Sequence, residues 1–346
     1  MSGNYGWGGR DRANDFPTRA VRSDAGFSRA QGAYSDSNSF TPPSIPRGRS
    51  VTMTQTNRSG ARHNVDLTAN KKQKSTKENL LIIAMDTTGS MGSWRSEIFD
   101  RLVVLYKEAQ GFLGESLEIL FIGFGDRQEC HDAFEVCPIG DGPILDEYID
   151  ALTKATAGGG NAVESPEMAA LYVAMMLDTS ENKSVHFFTV TDEGFYPQID
   201  TVDAENMMGI SIEAGASSNI YKSLKSRMGV YTILPKTNSY QKNTQRKIQR
   251  QWEDAVGSEF VIQLEDGRRV VDVILGAVAK INGQFDRFTK SLIKRQGGTQ
   301  HGSENISTVQ ASLINVPGAP QPPSVKTGTK SLVDIPGVGT KSLLAD

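Results

Sequence analysis

Asp86, Thr88 and Ser90 stand at alternate positions in the stretch Asp86-Thr87-Thr88-Gly89-Ser90-Met91-Gly92. A carboxylate and two hydroxyls spaced this way can turn three oxygens towards one point in a loop. Hard divalent cations such as Mg²⁺ take oxygen donors of this kind. Only Asp86 carries charge, so these three residues alone are expected to hold the cation weakly and leave it open to a carboxylate from outside. A second acid arrives in a similar setting, where Ser184-Val185-His186-Phe187-Phe188-Thr189-Val190-Thr191 leads into Asp192, with Glu193 beside it.

Both acids need elements that place them. The run Leu80 to Met85 has no polar interruption and reads as a strand buried on both faces of a parallel sheet. Asp86 then lies at the carboxyl end of that strand, the side on which open α/β sheets bind their ligands. Helical spacing follows over 93–113, a buried strand over 117–126 and a shorter one over 133–139. A helix is expected over 143–156, then a glycine loop, then a helix from Pro166 to Leu177 with proline in its favoured first turn. Beyond Asp192 the pattern predicts a helix over 214–228, a strand over 229–234, a polar helix over 239–256, a strand over 259–264 and a single closing helix over 268–295. Strands alternating with helices predict a doubly wound α/β sheet.

The Asp-x-Thr-x-Ser step after an apolar strand resembles the opening motif of the metal-ion-dependent adhesion site of the von Willebrand factor A family. Thr191-Asp192-Glu193 is similar to the acid loop of the same site. The resemblance implies a Rossmann-like, mostly parallel six-stranded sheet over 77–296, with Mg²⁺ or Mn²⁺ held by Asp86, Thr88, Ser90 and Asp192. A second loop should complete the site, and here Gly158-Gly159-Gly160-Asn161-Ala162-Val163-Glu164-Ser165-Pro166-Glu167 lacks the usual threonine. It resembles the Gly-Gly-Gly-Asp-x-x-Glu variant of intracellular members, with Asn161 in place of Asp. Three alternatives stay open for this loop: Asn161 supplies a carbonyl oxygen, Glu164 reaches the ion through water, or the site is degenerate; Glu193 is expected in the outer shell. Gly125-Asp126-Arg127 is similar to a step at the end of the second strand in intracellular members, which would put Asp126 at the border of the site. The plain alternative is a turn acid paired with Arg127.

The implied function is a non-enzymatic, metal-dependent protein-binding or adaptor module that coordinates a partner's Asp or Glu. Intracellular members working beside MoxR-type AAA+ ATPases make that a partner class. Two other readings stay open: an RNA-binding ribonucleoprotein component, as in the Ro autoantigen, and a structural, self-assembling protein. Asp-Thr-Thr-Gly-Ser also resembles the nucleophile motif of aspartyl-phosphate ATPases. That reading is disfavoured by Thr88, which stands where related phosphatases carry a second Asp, and by the want of apolar membrane runs. A Ser90 dyad with His131 or His186 is also disfavoured, because His186 falls inside an apolar strand.

Composition divides the 346-residue chain. Residues 1–75 hold nine Arg and three Lys against five Asp, a net +7, which leaves −10 for the rest of a chain whose formal charge is −3. Poor in branched aliphatics, this arm is expected to be disordered over 1–76, and its charge is the feature that fits RNA or an acidic surface. A second arm over 297–346 contains a Pro-rich linker and the repeat Gly328-Thr329-Lys330-Ser331-Leu332, which recurs as Gly339-Thr340-Lys341-Ser342-Leu343. Two copies on a flexible tail fit bivalent docking, and chance repetition in a low-complexity tail fits equally well. No apolar stretch approaches the ~20 residues that cross a bilayer, and residues 1–7 have no apolar signal core. With two cysteines, Cys130 and Cys137, too few for a zinc set beside His131, a reducing, cytoplasmic setting is expected.

Overall fold

The computed structural model describes residues 65–91, 97–98, 100–128, 134–152, 161–236 and 240–318, together with the backbone of short strands at Gly6–Trp7, Arg10–Asp11, Gln55–Thr56 and Arg62–His63. Apart from those strands, residues 1–64 of the arm expected to be disordered lie outside the described residues, as do the terminal repeat, Cys130 and His131.

Six strands make the main sheet: β1 (Asn79–Asp86), β2 (Leu117–Phe124), β3 (Phe134–Val136), β4 (Ser184–Val190), β5 (Gly229–Pro235) and β6 (Val261–Leu264). Their order is β6-β5-β4-β1-β2-β3, and every neighbouring pair is parallel except β2 with β3. The chain runs outward from β1 to β2 and β3 on one side, then returns to lay β4, β5 and β6 on the other. The crevice between β1 and β4 is therefore the switch point at which an open parallel sheet binds ligands.

Nine α-helices among the described residues cover the two faces: α1 (Leu102–Leu113), α2 (Ile144–Ala151), α3 (Pro166–Met175), α4 (Thr201–Met208), α5 (Ser217–Lys225), α6 (Lys242–Val256), α7 (Val270–Ile281), α8 (Phe285–Gln296) and α9 (Gly302–Ser312). Strand β1 is buried along its whole length and its side chains alternate between two cores. Leu80, Ile82 and Ala84 pack with α3, α5 and α6, whereas Leu81, Ile83 and Met85 pack with α1, α7 and α8. This is the two-sided burial expected of an uninterrupted apolar strand. Pro166 opens α3 at its first turn.

Three expectations are corrected. The closing segment is two helices, because the chain turns at Gly283, whose φ of +67° lies in the left-handed region that glycine enters without steric cost. Order continues past 297, where α9 buries Val309 and Leu313 in the core that contains α7. The packed body also begins before Lys77: Gln73–Lys74 pairs in parallel with Leu177–Asp178, and the Ser75 hydroxyl donates to Glu118 Oε2 at 2.7 Å. In addition, α4 precedes the helix expected over 214–228.

Candidate metal centre

The site begins where β1 ends. Thr87 turns away from it, its amide and hydroxyl both donating to the Phe124 carbonyl at 2.8 and 3.0 Å, so the loop is tied to the end of β2. The alternate residues face the other way. Asp86 Oδ1 accepts from the amide and hydroxyl of Thr88 at 2.8 and 2.6 Å, and Thr88 Oγ1 lies 3.1 Å from Ser90 Oγ. A short 3₁₀ turn, Gly89–Met91, carries Ser90, whose hydroxyl donates to Asp192 Oδ1 at 3.0 Å. Asp86, Thr88, Ser90 and Asp192 thus form one continuous string of oxygens across the β1/β4 crevice. Asp86, Thr88 and Asp192 are buried, and Ser90 is exposed at its outer end.

The loop after β4 is held from behind. Thr191 Oγ1 donates to Asp86 Oδ2 at 3.2 Å and accepts from the Glu193 amide at 3.2 Å. The Trp252 indole of α6 donates to the Glu193 carbonyl at 2.9 Å, and the Tyr240 hydroxyl donates to Glu193 Oε1. Sequence reading missed Thr191, although its place immediately before Asp192 was a usable signal. Tyr240 and Trp252 had none, since they come from α6 and the residues just before it, with Tyr240 47 and Trp252 59 positions beyond Glu193.

Asn161 sits in a neighbouring cluster. Its Nδ2 donates to Asp126 Oδ2 at 2.8 Å and contacts the Tyr196 hydroxyl at 3.3 Å, while its Oδ1 accepts from the Val163 amide at 3.0 Å. The Tyr196 hydroxyl donates to Asp126 Oδ1 at 2.8 Å. Asp126 is not the partner of Arg127, which pairs with Asp203 at 3.0 Å. Two short parallel strands, Val163–Glu164 and Gly194–Phe195, then fasten the second loop to the one that carries Asp192. Ala162, with φ of 63°, occupies the left-handed region at that junction, and its carbonyl accepts from the Gly194 amide at 3.1 Å.

Electrostatics set this region apart. Burial pushes the Asp86 carboxyl up to about 7 against the lowering effect of its Thr88 hydrogen bonds, and Asp192 and Glu193 add to the rise. Burial likewise raises Asp192, opposed by the Ser90 hydroxyl. Glu164 is pushed up to about 11, first by burial and then by Asp86, Glu193, Asp126 and Asp192. Like carboxylates gathered away from water cannot all ionise without a compensating cation. Asp192 Oδ2 and both Glu164 oxygens are buried without a hydrogen-bond partner among the described residues. The orphaned Asp192 oxygen, on a carboxylate joined to the Ser90 and Thr88 hydroxyls, matches the donor set of a hard divalent ion. Among the described residues no group of three or more His, Cys, Asp and Glu side chains is by itself disposed to hold a metal. The candidate is of another composition, two carboxylates with two hydroxyls. His186 is no part of it: buried on β4, its Nε2 lies 2.9 Å from Ser184 Oγ.

The fold and site define an α/β protein with an oxygen-rich cluster at the switch point of a parallel sheet. No protein-family model matches the chain, and no curated protein matches it. Solved structures to which it is similar include the pilus adhesin SpaC from Lactobacillus rhamnosus GG in its open conformation, at 16% identity and a TM-score of 0.44, covering 64% of this chain and 31% of that one. Another is a mutant of the PilB minor pilin from Streptococcus sanguinis, at 11% identity and a TM-score of 0.36, covering 62% of this chain and 64% of that one. The chain thus spans under a third of the adhesin's length.

Proposed function

We propose that the protein is a non-enzymatic, metal-dependent protein-binding module of the von Willebrand A kind, with Mg²⁺ or Mn²⁺ held by Asp86, Thr88, Ser90 and Asp192. The observation that carries this reading is the string of hydrogen bonds that joins those four side chains across the β1/β4 crevice. A bound ion supplies a Lewis-acidic point that an Asp or Glu of a partner protein ligates. The chain's own residues do the rest. Thr191 and the Thr88 amide fix the Asp86 carboxylate from two sides, and the Trp252 and Tyr240 contacts immobilise the loop that presents Asp192. Ser90, exposed at the rim, marks the side from which a partner approaches.

The hydroxyls in this arrangement serve carboxylates rather than a base. Ser90 donates to Asp192, and the one histidine described near the sheet is bonded to Ser184. That supports binding over hydrolysis. Among the described residues no helix is long and apolar enough to cross a membrane. A cytoplasmic partner, with a MoxR-type AAA+ ATPase as one class, belongs to the same proposal. The basic arm favours a second reading, RNA retention, which would be salt-sensitive and lost on deleting residues 1–75.

Isothermal titration of Mg²⁺ and Mn²⁺ into the full chain tests the main reading. Saturable binding that Asp86→Ala abolishes is the expected result. A folded wild-type chain that gives no binding heat and no thermal shift with either ion would overturn it.

A further inference from the structure

The charges on α6 run against the helix's own dipole. Lys242, Arg246, Lys247 and Arg250 crowd its amino-terminal part, the first turn holds no acid and the last turn no base, while Glu253 and Asp254 come near the end. Cations at a helix amino terminus oppose the macrodipole, and Lys242, Arg246 and Arg250 are like charges at i, i+4 spacing that repel along one face. All four cations are exposed, and none makes an ion pair or a side-chain hydrogen bond among the described residues. The arrangement costs helix stability and recovers none of it from those residues, on a body that is net acidic beyond the first arm. The inner face of α6 buries Ile248 and Trp252 and is bonded to the loop after β4. There the Gln251 side chain accepts from the Phe195 amide at 3.2 Å and donates to the Phe195 carbonyl at 2.6 Å, next to the bonds that Trp252 and Tyr240 make to Glu193. The row of cations thus stands on a helix fixed to the loop that carries Asp192.

We infer that the outer face of α6 is a docking strip for an extended acidic segment of a partner protein, with acids at alternate positions. Lys242, Arg246 and Arg250 follow one another at about 6 Å along the helix, and alternate side chains of an extended chain stand about 6.6 Å apart on one side. Three carboxylates in a row therefore meet three cations, with Lys247 beside them. A single-stranded nucleic acid also presents spaced charges, but its bases are held by stacking on aromatic side chains. The large hydrophobic side chains exposed among the described residues are Ile144, Val202, Ile293 and Ile314, none of them aromatic, and Trp252 is buried. The inference rests on the reading given above for its acid-bearing partner, and the strip itself needs no ion.

The test measures binding of a fluorescein-labelled peptide with Glu at alternate positions to the full chain and to the double variant Arg246→Glu/Arg250→Glu, in Mg²⁺ and in EDTA. The same peptide with Gln for Glu and an oligouridylate of equal charge are run alongside. Circular dichroism checks folding, and the basic arm is common to both chains, so the comparison isolates α6. The expected result is wild-type binding of the Glu peptide that weakens with salt, at least about a tenfold loss in the double variant, and a smaller loss in Arg246→Gln/Arg250→Gln. The same loss in EDTA supports the strip whether or not the metal reading holds. Binding that EDTA abolishes and the double variant leaves intact removes the strip and leaves the metal site standing. No preference of the wild type for the Glu peptide over the Gln peptide also overturns the inference. Oligouridylate bound more tightly than the Glu peptide, and lost in the same variant, overturns it in favour of nucleic acid. Should the Glu double variant fail to fold, the Gln pair decides: weakened binding supports the strip and unchanged binding overturns it.

Discussion

At the scale of single residues, burial decides more than chemical type. His186 is sealed inside β4 with only Ser184 Oγ beside Nε2, and its Nδ1 is buried without a partner among the described residues. Burial lowers its pKa to about 4, against about 6.5 in an unfolded chain. The unfolded state therefore binds the proton more readily over that interval. The stability that neutral His186 permits is complete above pH ~6.5 and is lost as pH falls towards 4. Between pH 7 and 5 this amounts to about 2 kcal/mol. Carboxylates raised by burial, such as Glu167, act in the opposite direction as pH falls, so the quantity to measure is the difference between wild type and His186→Leu in urea denaturation at the two pH values. The wild type should lose more stability at pH 5 than the variant does. That His186 is a core residue was legible in its place inside an apolar strand. That Glu164 is one was not, because a glutamate in a Gly-rich loop is read as solvated until two neighbouring loops close over it.

Among the elements, three helices on one face of the sheet meet at a single acid. Asp272 of α7 is fully buried and receives Arg101, at the start of α1, at 2.5 Å, Arg295 of α8 at 3.0 Å and Arg269 at 3.4 Å. Burial alone would raise this carboxyl, but Arg101, Arg295 and Arg269 outweigh it and hold it well below the usual carboxylate range. Its contribution to stability is accordingly present above pH ~4 and is lost as pH falls below that. Asp272→Ala would leave the guanidinium groups buried around an absent counter-charge, and breaking a buried cluster from one side costs about 3–5 kcal/mol. Chemical denaturation at pH 7 should show a loss of that order, and an effect under about 1 kcal/mol would mean that water reaches the arginines. Periodicity found the helical character of this region but not its division. The apolar spacing of α7 and α8 runs on through Asn282-Gly283-Gln284, and only the left-handed Gly283 redirects the chain so that Arg295 can return to Asp272.

For the whole molecule, the boundary of the folded body matters most. Composition drew it at Gln296, yet α9 lays Val309 and Leu313 into the core, with Val316 just beyond it. Gly276 of α7 makes room for this: a Cβ there would stand 2.2 Å from Leu313 Cδ1 and 2.8 Å from Phe288 Cε1. Three buried apolar side chains are worth about 1.5–3 kcal/mol each at the upper end of area arguments. A chain ending at residue 296 should therefore be several kcal/mol less stable to urea than one ending at residue 318. Equal midpoints would show that α9 packs without stabilising. Composition misjudged this segment because α9 is mostly polar and contributes only a narrow apolar stripe, whose value depends on a groove supplied by distant residues.

The sequence by itself determined which segments are strands and where two acids end them. An uninterrupted apolar run of six residues has few solutions other than a strand buried on both faces, and the alternation Asp86-x-Thr88-x-Ser90 follows from local geometry alone. Tertiary structure decided the rest: that β4 lies against β1, bringing Asp192 to within 3.0 Å of Ser90 across 102 positions, that Asn161 is taken up by Asp126 and Tyr196, and that Glu164 is buried where its short strand pairs with Gly194–Phe195. These are contacts between segments far apart in the chain. Local periodicity has no term for them, because they are set by strand order and by the competition of several polar groups for the same few partners.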